Sequence, residues 1–489
     1  MSEVSCMQRR IRFTNKMALE SLFLTLILAV AAYLRVTNLG GFFSYDYDEG
    51  VYTESARMIV RGYLPNIHVF SSQPPHFILF IAAFLRLFGM KIMIARLLIV
   101  ITSLIGIISV YLIAKSIEDY KAGLIGAFIL SISPYFLRQS RSVQSEVPSI
   151  SFALLGVWLF FKGFKEKNER HLLLSGVITC LGAMMKLNMG LVIPLILALL
   201  MAYKNFKGSG FFTLGCIIPL LILPLFDLSK VIDQMVIFHF AKPATGTWQS
   251  RGAYILNMLM MDVGLALTAP IGIIICAIKK GLEGRFTVAL TVATFLFLLC
   301  YKAFFQHQSV ILVPLLAIMS SVALATPMNM GFKKYLEKKE RPIKRLRSLI
   351  ILAILSLALF GLYCIGLRRV IKYDLGLISP RDNAQYHDAV KIIKTYTNSA
   401  DYIITDEQIL AFLAERDVPP NLVDTSHMRI SSGYLNSETV IKLSEKYNVK
   451  VVILWTGRLR RLSEFIHYVE ANFQLVKDYG RGREIYVRL

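Results

Sequence analysis

Three carboxylates crowd into four positions at Asp46, Asp48 and Glu49, within the run Tyr45-Asp46-Tyr47-Asp48-Glu49-Gly50-Val51-Tyr52. Carboxylates so placed can accept a proton, hold a hard cation or cap a helix. The following residues, TESARMIVRG, would suit an amphipathic helix with Asp48 as its N-cap. A fourth acid, Glu146, closes the polar run Arg138-Gln139-Ser140-Arg141-Ser142-Val143-Gln144-Ser145 and precedes Val147-Pro148. Lys186, Asn188 and the trio Gln306-His307-Gln308 also border apolar segments, and Asp262 lies inside one. Lys186 could be a snorkelling cation, whereas an ionisable group within an apolar span is costly and tends to be paired or functional. Ser72-Gln73-Pro74-Pro75-His76-Phe77 opens another apolar stretch, and its prolines suit the first turn of a helix.

A membrane must position these groups. Hydrophobic residues make up 55% of the 489 positions and mean hydropathy is +0.56, which puts most of the chain in lipid. A spanning helix needs about 20 mostly apolar residues, and eleven segments qualify: 17–36, 93–114, 122–138, 147–164, 171–187, 189–203, 209–227, 255–278, 286–303, 308–325 and 348–367. The net charge is +22, yet residues 370–489 hold 16 Lys and Arg against 15 Asp and Glu, so nearly all of the excess belongs to residues 1–369. Basic membrane loops explain that excess by topology and lipid phosphate, and no nucleic-acid partner is expected. The stretch 75–89 is marginally long. If it lies in the interface, the clusters Arg9–Lys16, Lys115/Lys121, Lys162–Arg170, Lys204/Lys207, Lys279–Arg285 and Lys333–Arg347 all share one side. We therefore expect an interfacial 75–89, a cytoplasmic N-terminus and an extracytoplasmic C-terminus.

Beyond Arg369 the pattern changes. DYIIT (401–405) and KVVILW (450–455) read as strands and SETVIKLSEKY (437–447) as an amphipathic helix, predicting an α/β domain over 370–489 behind a membrane domain of 1–369. Cys6, Cys180, Cys216, Cys276, Cys300 and Cys364 are scattered, without a CxxC, so neither a disulfide framework nor a cysteine-ligated metal is expected. The first apolar run lacks a clear small-residue cleavage site and reads as a retained helix.

Taken in order, these features resemble the GT-C glycosyltransferases. The resemblance rests on Asp48-Glu49 with Tyr52 and Ala56-Arg57, Pro74-Pro75 opening a helix that ends Phe88-Gly89, Arg96, Glu146 with Pro148, Lys186, and a Pro314-containing span after His307. It is nearest to the protein O-mannosyltransferase and lipid A aminoarabinose transferase branch. Two departures stand out. The aminoarabinose enzymes usually carry an acid and a lysine before the two prolines, where this chain has Ser72 and Gln73, and their second-loop acid is commonly Asp, here Glu146.

The resemblance implies transfer of a sugar from a polyprenyl-phosphate donor, dolichyl- or undecaprenyl-linked, to a protein, lipid or glycan acceptor at the outer membrane face. It implies Asp48 as general base, with Glu49 and Glu146 also in the catalytic set, orienting the acceptor or holding a divalent cation, magnesium or manganese. The substrate-binding set would be Tyr52, Arg57, His76, Arg141, Lys186 and His307, with Arg57, Lys186 and His307 toward the phosphate. A transporter or flippase of lipid-linked or anionic solutes is the alternative, although no repeated halves or matching broken helices are visible. For the topology, a cysteine placed in loop 333–347 should resist an impermeant thiol reagent on intact cells while one in 370–489 reacts. The opposite labelling would reverse the assignment.

Overall fold

The computed structural model describes residues 3–41, 46–336, 342–380 and 383–489, so Tyr45 and part of the basic loop 333–347 lie outside the described residues. The chain begins with α1 (Glu3–Val36), followed in the first loop by α2 (Tyr47–Val60) and α3 (Pro75–Phe88). The bundle continues through α4 (Ile92–Ile117), α5 (Tyr120–Ile132), α6 (Pro134–Gln139), α7 (Glu146–Glu166), α8 (Glu169–Met185), α9 (Val192–Ala202) and α10 (Phe206–Leu220). Two short helices, α11 (Leu228–Ile232) and α12 (Phe238–Ala241), flank a π-helical turn over Asp233–Ile237. The bundle then resumes with α13 (Trp248–Met261), α14 (Val263–Lys279), α15 (Leu282–Cys300), α16 (Val313–Leu336) and α17 (Pro342–Cys364).

All eleven expected segments are helical, but they are not all single rods. Among the described residues seven helices are long and apolar enough to cross a membrane, or eight if the bent pair α13–α14 counts as one span. The segment 122–138 breaks at Ser133, because a residue before proline is pushed out of the helical region and Pro134 restarts the chain as α6. The segment 255–278, expected as one span, bends by 107°. Asp262 is the cause. Expected inside a continuous helix, it instead adopts φ −132°, ψ 77° and caps α14 by accepting a hydrogen bond from Leu265 N. Helix α3, with 14 residues, is roughly 21 Å long at 1.5 Å per residue, short of the ~30 Å hydrocarbon core. It packs under α2, with Phe77 fully buried and edge-on to Tyr52 at 4.9 Å.

After α17, helix α18 (Leu367–Ile378) continues the same apolar span and buries Leu377 against Leu137. The α/β unit follows as α19 (Ala384–Tyr396), β1 (Ile403–Thr405), α20 (Gln408–Ala414), α21 (His427–Ser431), α22 (Ser437–Lys446), β2 (Val451–Leu454), α23 (Ser463–Asn472), β3 (Phe473–Asp478) and β4 (Glu484–Arg488). The sheet order is β1-β2-β4-β3, with β1 and β2 parallel and the other pairs antiparallel. Every residue of β1 and β2 is buried, which explains why both read as continuous apolar runs rather than as alternating strands.

The sheet unit does not stand apart from the bundle. Ile409 and Phe412 of α20 join the hydrophobic core of the membrane helices, while Met58 and Val69 of the first loop join that of the sheet unit. The backbones approach closely at Gly50, where an added Cβ would meet Ile409 N at 2.6 Å. Since the obstacle is backbone, it cannot swing aside. Gly50→Ala should therefore push α20 off α2, and hydrogen exchange should show faster opening of 408–414 than in the parent protein. Unchanged protection there would show that the docking does not depend on this contact.

Candidate active site

Helix α2 is aimed by its own acids. Asp46, rather than Asp48, is the N-cap: its Oδ1 accepts from Asp48 N at 3.2 Å. This leaves the Asp48 side chain free to face a cavity. One residue on, Glu49 points the other way into the bundle, where Arg96 of α4 binds both its oxygens at 2.8 Å. Arg96 also donates to Leu39 O and Gly41 O, and Glu49 Oε1 accepts from Val143 N at 3.0 Å. The first loop, α4 and the 140–145 loop are thus tied at one point.

That tie brings distant residues together. His307 Nε2 lies 3.6 Å from Asp48 Oδ2 and 3.3 Å from Glu146 Oε1, so one imidazole bridges two carboxylates that are far apart in sequence. Lys186 completes the group by pairing with Glu146. Tyr52 lines the same cavity, with its hydroxyl 3.4 Å from Ser145 Oγ. Glu146 has only 1% of its side chain exposed against 32% for Asp48, so Glu146 serves as a buried counter-charge and Asp48 meets whatever enters. Burial pushes the Asp48 carboxyl up to about 6, with His307 opposing the rise and Asp46 adding to it. A carboxylate of that basicity is suited to take a proton near neutral pH.

The cavity, of about 240 Å³, is lined by the first loop and also by Lys242, just after α12, and by Asp424, Met428 and Arg458 of the sheet unit. Sequence reasoning had missed all four. Phe70 of the first loop meets Phe238 edge-on at 5.3 Å, and Met428 joins their cluster, closing the wall between three segments. Lys242 approaches His239 Nδ1 at 3.2 Å and the Phe238 ring at 4.6 Å. Burial brings its ammonium down to about 8, opposed by Asp424 and reinforced by Lys186.

Several expected site residues are engaged elsewhere. Arg57, expected on a donor phosphate, turns to the sheet unit and binds Asp417 Oδ1 at 2.8 Å, because its position on α2 faces α20 and not the cavity. Arg141 donates to the carbonyls of Leu34, Arg35 and Thr37, satisfying the open C-terminal end of α1. His76 hydrogen-bonds Pro219 O at 2.8 Å through Nε2, and burial lowers its pKa. It links α3 to α10 rather than meeting substrate. The Glu49 and Glu146 pair does not fit a cation. Both oxygens of Glu49 are taken by Arg96, Glu146 is neutralised by Lys186 and His307, and among the described residues no three His, Cys, Asp or Glu form a ligand group.

Comparison with known proteins follows the same lines. Residues 72–226 match the family described as dolichyl-phosphate-mannose-protein mannosyltransferase. No curated protein matches the chain in sequence. ArnT from Cupriavidus metallidurans, solved bound to undecaprenyl phosphate, is similar with a TM-score of 0.68 at 13% identity, over 96% of this chain and 98% of that one. The archaeal oligosaccharyltransferase AglB from Archaeoglobus fulgidus, solved with an inhibitory peptide and a dolichol-phosphate, is similar with a TM-score of 0.60 at 12% identity, over 97% of this chain and 74% of that one.

Glu49→Gln should strand a buried guanidinium and destabilise the protein by about 3–5 kcal/mol, read as a lowered unfolding midpoint. Arg57→Ala should loosen the sheet unit and leave affinity for a polyprenyl phosphate unchanged. A variant of Arg57 with intact docking and weakened lipid binding would return that residue to the site.

Proposed function

From a chain with the GT-C fold, we propose a glycosyltransferase that moves a sugar from a polyprenyl-phosphate donor to an acceptor at the outer membrane face. One observation carries the proposal: Asp48, His307 and Lys186 meet on one cavity, with Glu146 buried behind the two cations and Asp48 more exposed than Glu146. The undecaprenyl phosphate of ArnT and the dolichol-phosphate of AglB support the carrier class. The concentration of basic loops at the opposite end of the chain's spans supports an extracytoplasmic cavity and C-terminus.

The acceptor's oxygen or nitrogen attacks the anomeric carbon and gives up its proton to Asp48 Oδ2. The bond between that carbon and the phosphate oxygen breaks, and its electron pair leaves on the polyprenyl phosphate. Among the described residues Asp46 is used as the cap of α2 and Glu146 is paired with Lys186 and His307, which favours Asp48 acting as a single base with inversion at the anomeric centre. Lys242 has no carboxylate in salt-bridge contact among the described residues, so it is the cation available to the leaving phosphate, in the role first given to Arg57. Lys186 acts with it from the floor, where Glu146 holds its ammonium in place. His307 keeps Asp48 oriented and lowers the cost of its ionisation. Tyr52 lines the wall beside Asp48.

Asp48→Asn keeps size and removes basicity, so single-turnover transfer should fall by at least roughly a hundredfold with donor affinity nearly unchanged. Normal donor binding with parental transfer would end the catalytic role and favour transport. The parent rate should also fall as pH drops through about 6, because the active form of Asp48 is the deprotonated one, and the residual rate of Asp48→Asn should lack this limb. Lys242→Ala should instead weaken donor binding by roughly ten- to a hundredfold, the worth of one charge-assisted contact. An unchanged donor Kd would remove Lys242 from the phosphate site.

A further inference from the structure

We propose that the crevice at the carboxyl ends of β1 and β2 is the acceptor subsite, and that the acceptor it takes is an acidic saccharide. The inference rests on the glycosyltransferase reading of the Asp48 cavity and names its second substrate. Parallel strands commonly bind ligands just beyond their carboxyl ends. Here Glu407 follows β1 and Thr456-Gly457-Arg458 follows β2, and together with Tyr47 and Arg461 they line a crevice of about 390 Å³. This lies within the roughly 300–1,000 Å³ of small-ligand sites.

The crevice adjoins the Asp48 cavity. Tyr47 and Arg458 line both, with the Arg458 guanidinium stacked 3.7 Å over the Tyr47 ring. Tyr47 immediately precedes Asp48, so the crevice and the base are one residue apart on α2. The loops are fixed for the purpose. Asp406 accepts from Trp455 N at 2.6 Å, Thr456 N at 3.0 Å and Leu459 N at 3.3 Å, welding the two strand ends together.

The chemistry selects the ligand. Glu407 is only 4% exposed, and its Oε1 is buried without a hydrogen-bond partner. Burial pushes its carboxyl up to about 8, opposed by Arg458 and reinforced by Asp406, so near neutral pH it is mostly a neutral group able to donate to and accept from a hydroxyl. Neither Arg458 nor Arg461 has a carboxylate in salt-bridge contact among the described residues, and Arg461 Nη1 lies 3.0 Å from His427 Nε2. The rim is therefore positive, with planar guanidinium forks that suit a carboxylate or phosphate substituent. An extended peptide finds no strand to pair with here. The β1 edge is already occupied by Asp417, whose carbonyl accepts from Ile403 N at 2.9 Å, and β3 lies at the far edge of the sheet.

Calorimetry on the detergent-solubilised full chain, without donor, tests this with a uronic-acid oligosaccharide, a neutral oligosaccharide of equal length and an unstructured peptide. The acidic saccharide should bind best. Arg461→Gln should reduce its affinity at least tenfold, to the level of the neutral one. Glu407→Gln, which can still donate and accept, should stay within threefold of the parent, whereas Glu407→Leu should lose at least tenfold with an unchanged unfolding midpoint. Tighter binding of the peptide, or full saccharide affinity in Arg461→Gln, would overturn the proposal. Because no donor is present, this result stands apart from the transfer assay: saccharide binding by a protein that takes no polyprenyl-phosphate sugar would leave the crevice and bring down the glycosyltransferase reading.

Discussion

The buried pair between Glu49 and Arg96 is the constraint on which the rest of the site depends. A guanidinium offers five donors in a fixed plane, and Arg96 uses them on two carboxylate oxygens and two carbonyls of the first loop. Such a fork tolerates little rotation of its partner. Glu49 is thereby locked, and the helix it belongs to is locked with it, so that the adjacent side chain on the opposite face projects into the cavity. Desolvating two charges is expensive, and a buried pair is seldom a net source of stability. What it supplies here is register: α2, α4 and the loop before α7 can meet in one way only.

The electrostatic balance of the cavity follows. Four acids line it or border it, and three are already engaged. Asp46 caps α2, Asp424 accepts from the Tyr47 hydroxyl, and Glu146 sits between Lys186 and His307. Only Asp48 is left both exposed and weakly compensated. The same neighbours that raise its affinity for a proton keep a cation within reach, so an acceptor proton and a leaving phosphate would be served by groups of opposite sign a few ångströms apart.

Much of this was legible in the sequence because its signal is local or topological. The apolar segments, the two buried strands β1 and β2, the Asp48 cluster and the loops carrying Glu146, Lys186 and His307 could all be read from hydropathy and the side on which basic loops fall, whereas β3 and β4 went unread. Which acid caps and which is free could not be read, since Asp46 and Asp48 differ by less than one helical turn. Arg57 looked like a phosphate ligand and Arg141 like a substrate contact because a cation near a helix end has the same appearance whether it faces an anion, a carbonyl or another domain. Lys242 and Arg458 carried no local mark at all. Their place comes from tertiary docking, as does the bend at Asp262, where capping overrides an apolar run long enough to continue.

One part of the cavity lining comes from residues 46–52 and another from Asp424, Met428 and Arg458. A ribosome delivers these in that order, with almost the whole protein between them. A nascent chain would therefore possess Asp48, Lys186 and Lys242 long before Asp424, Met428 and Arg458 could close over them. Enclosure of the cavity would then wait on the sheet unit, long after the first loop is made.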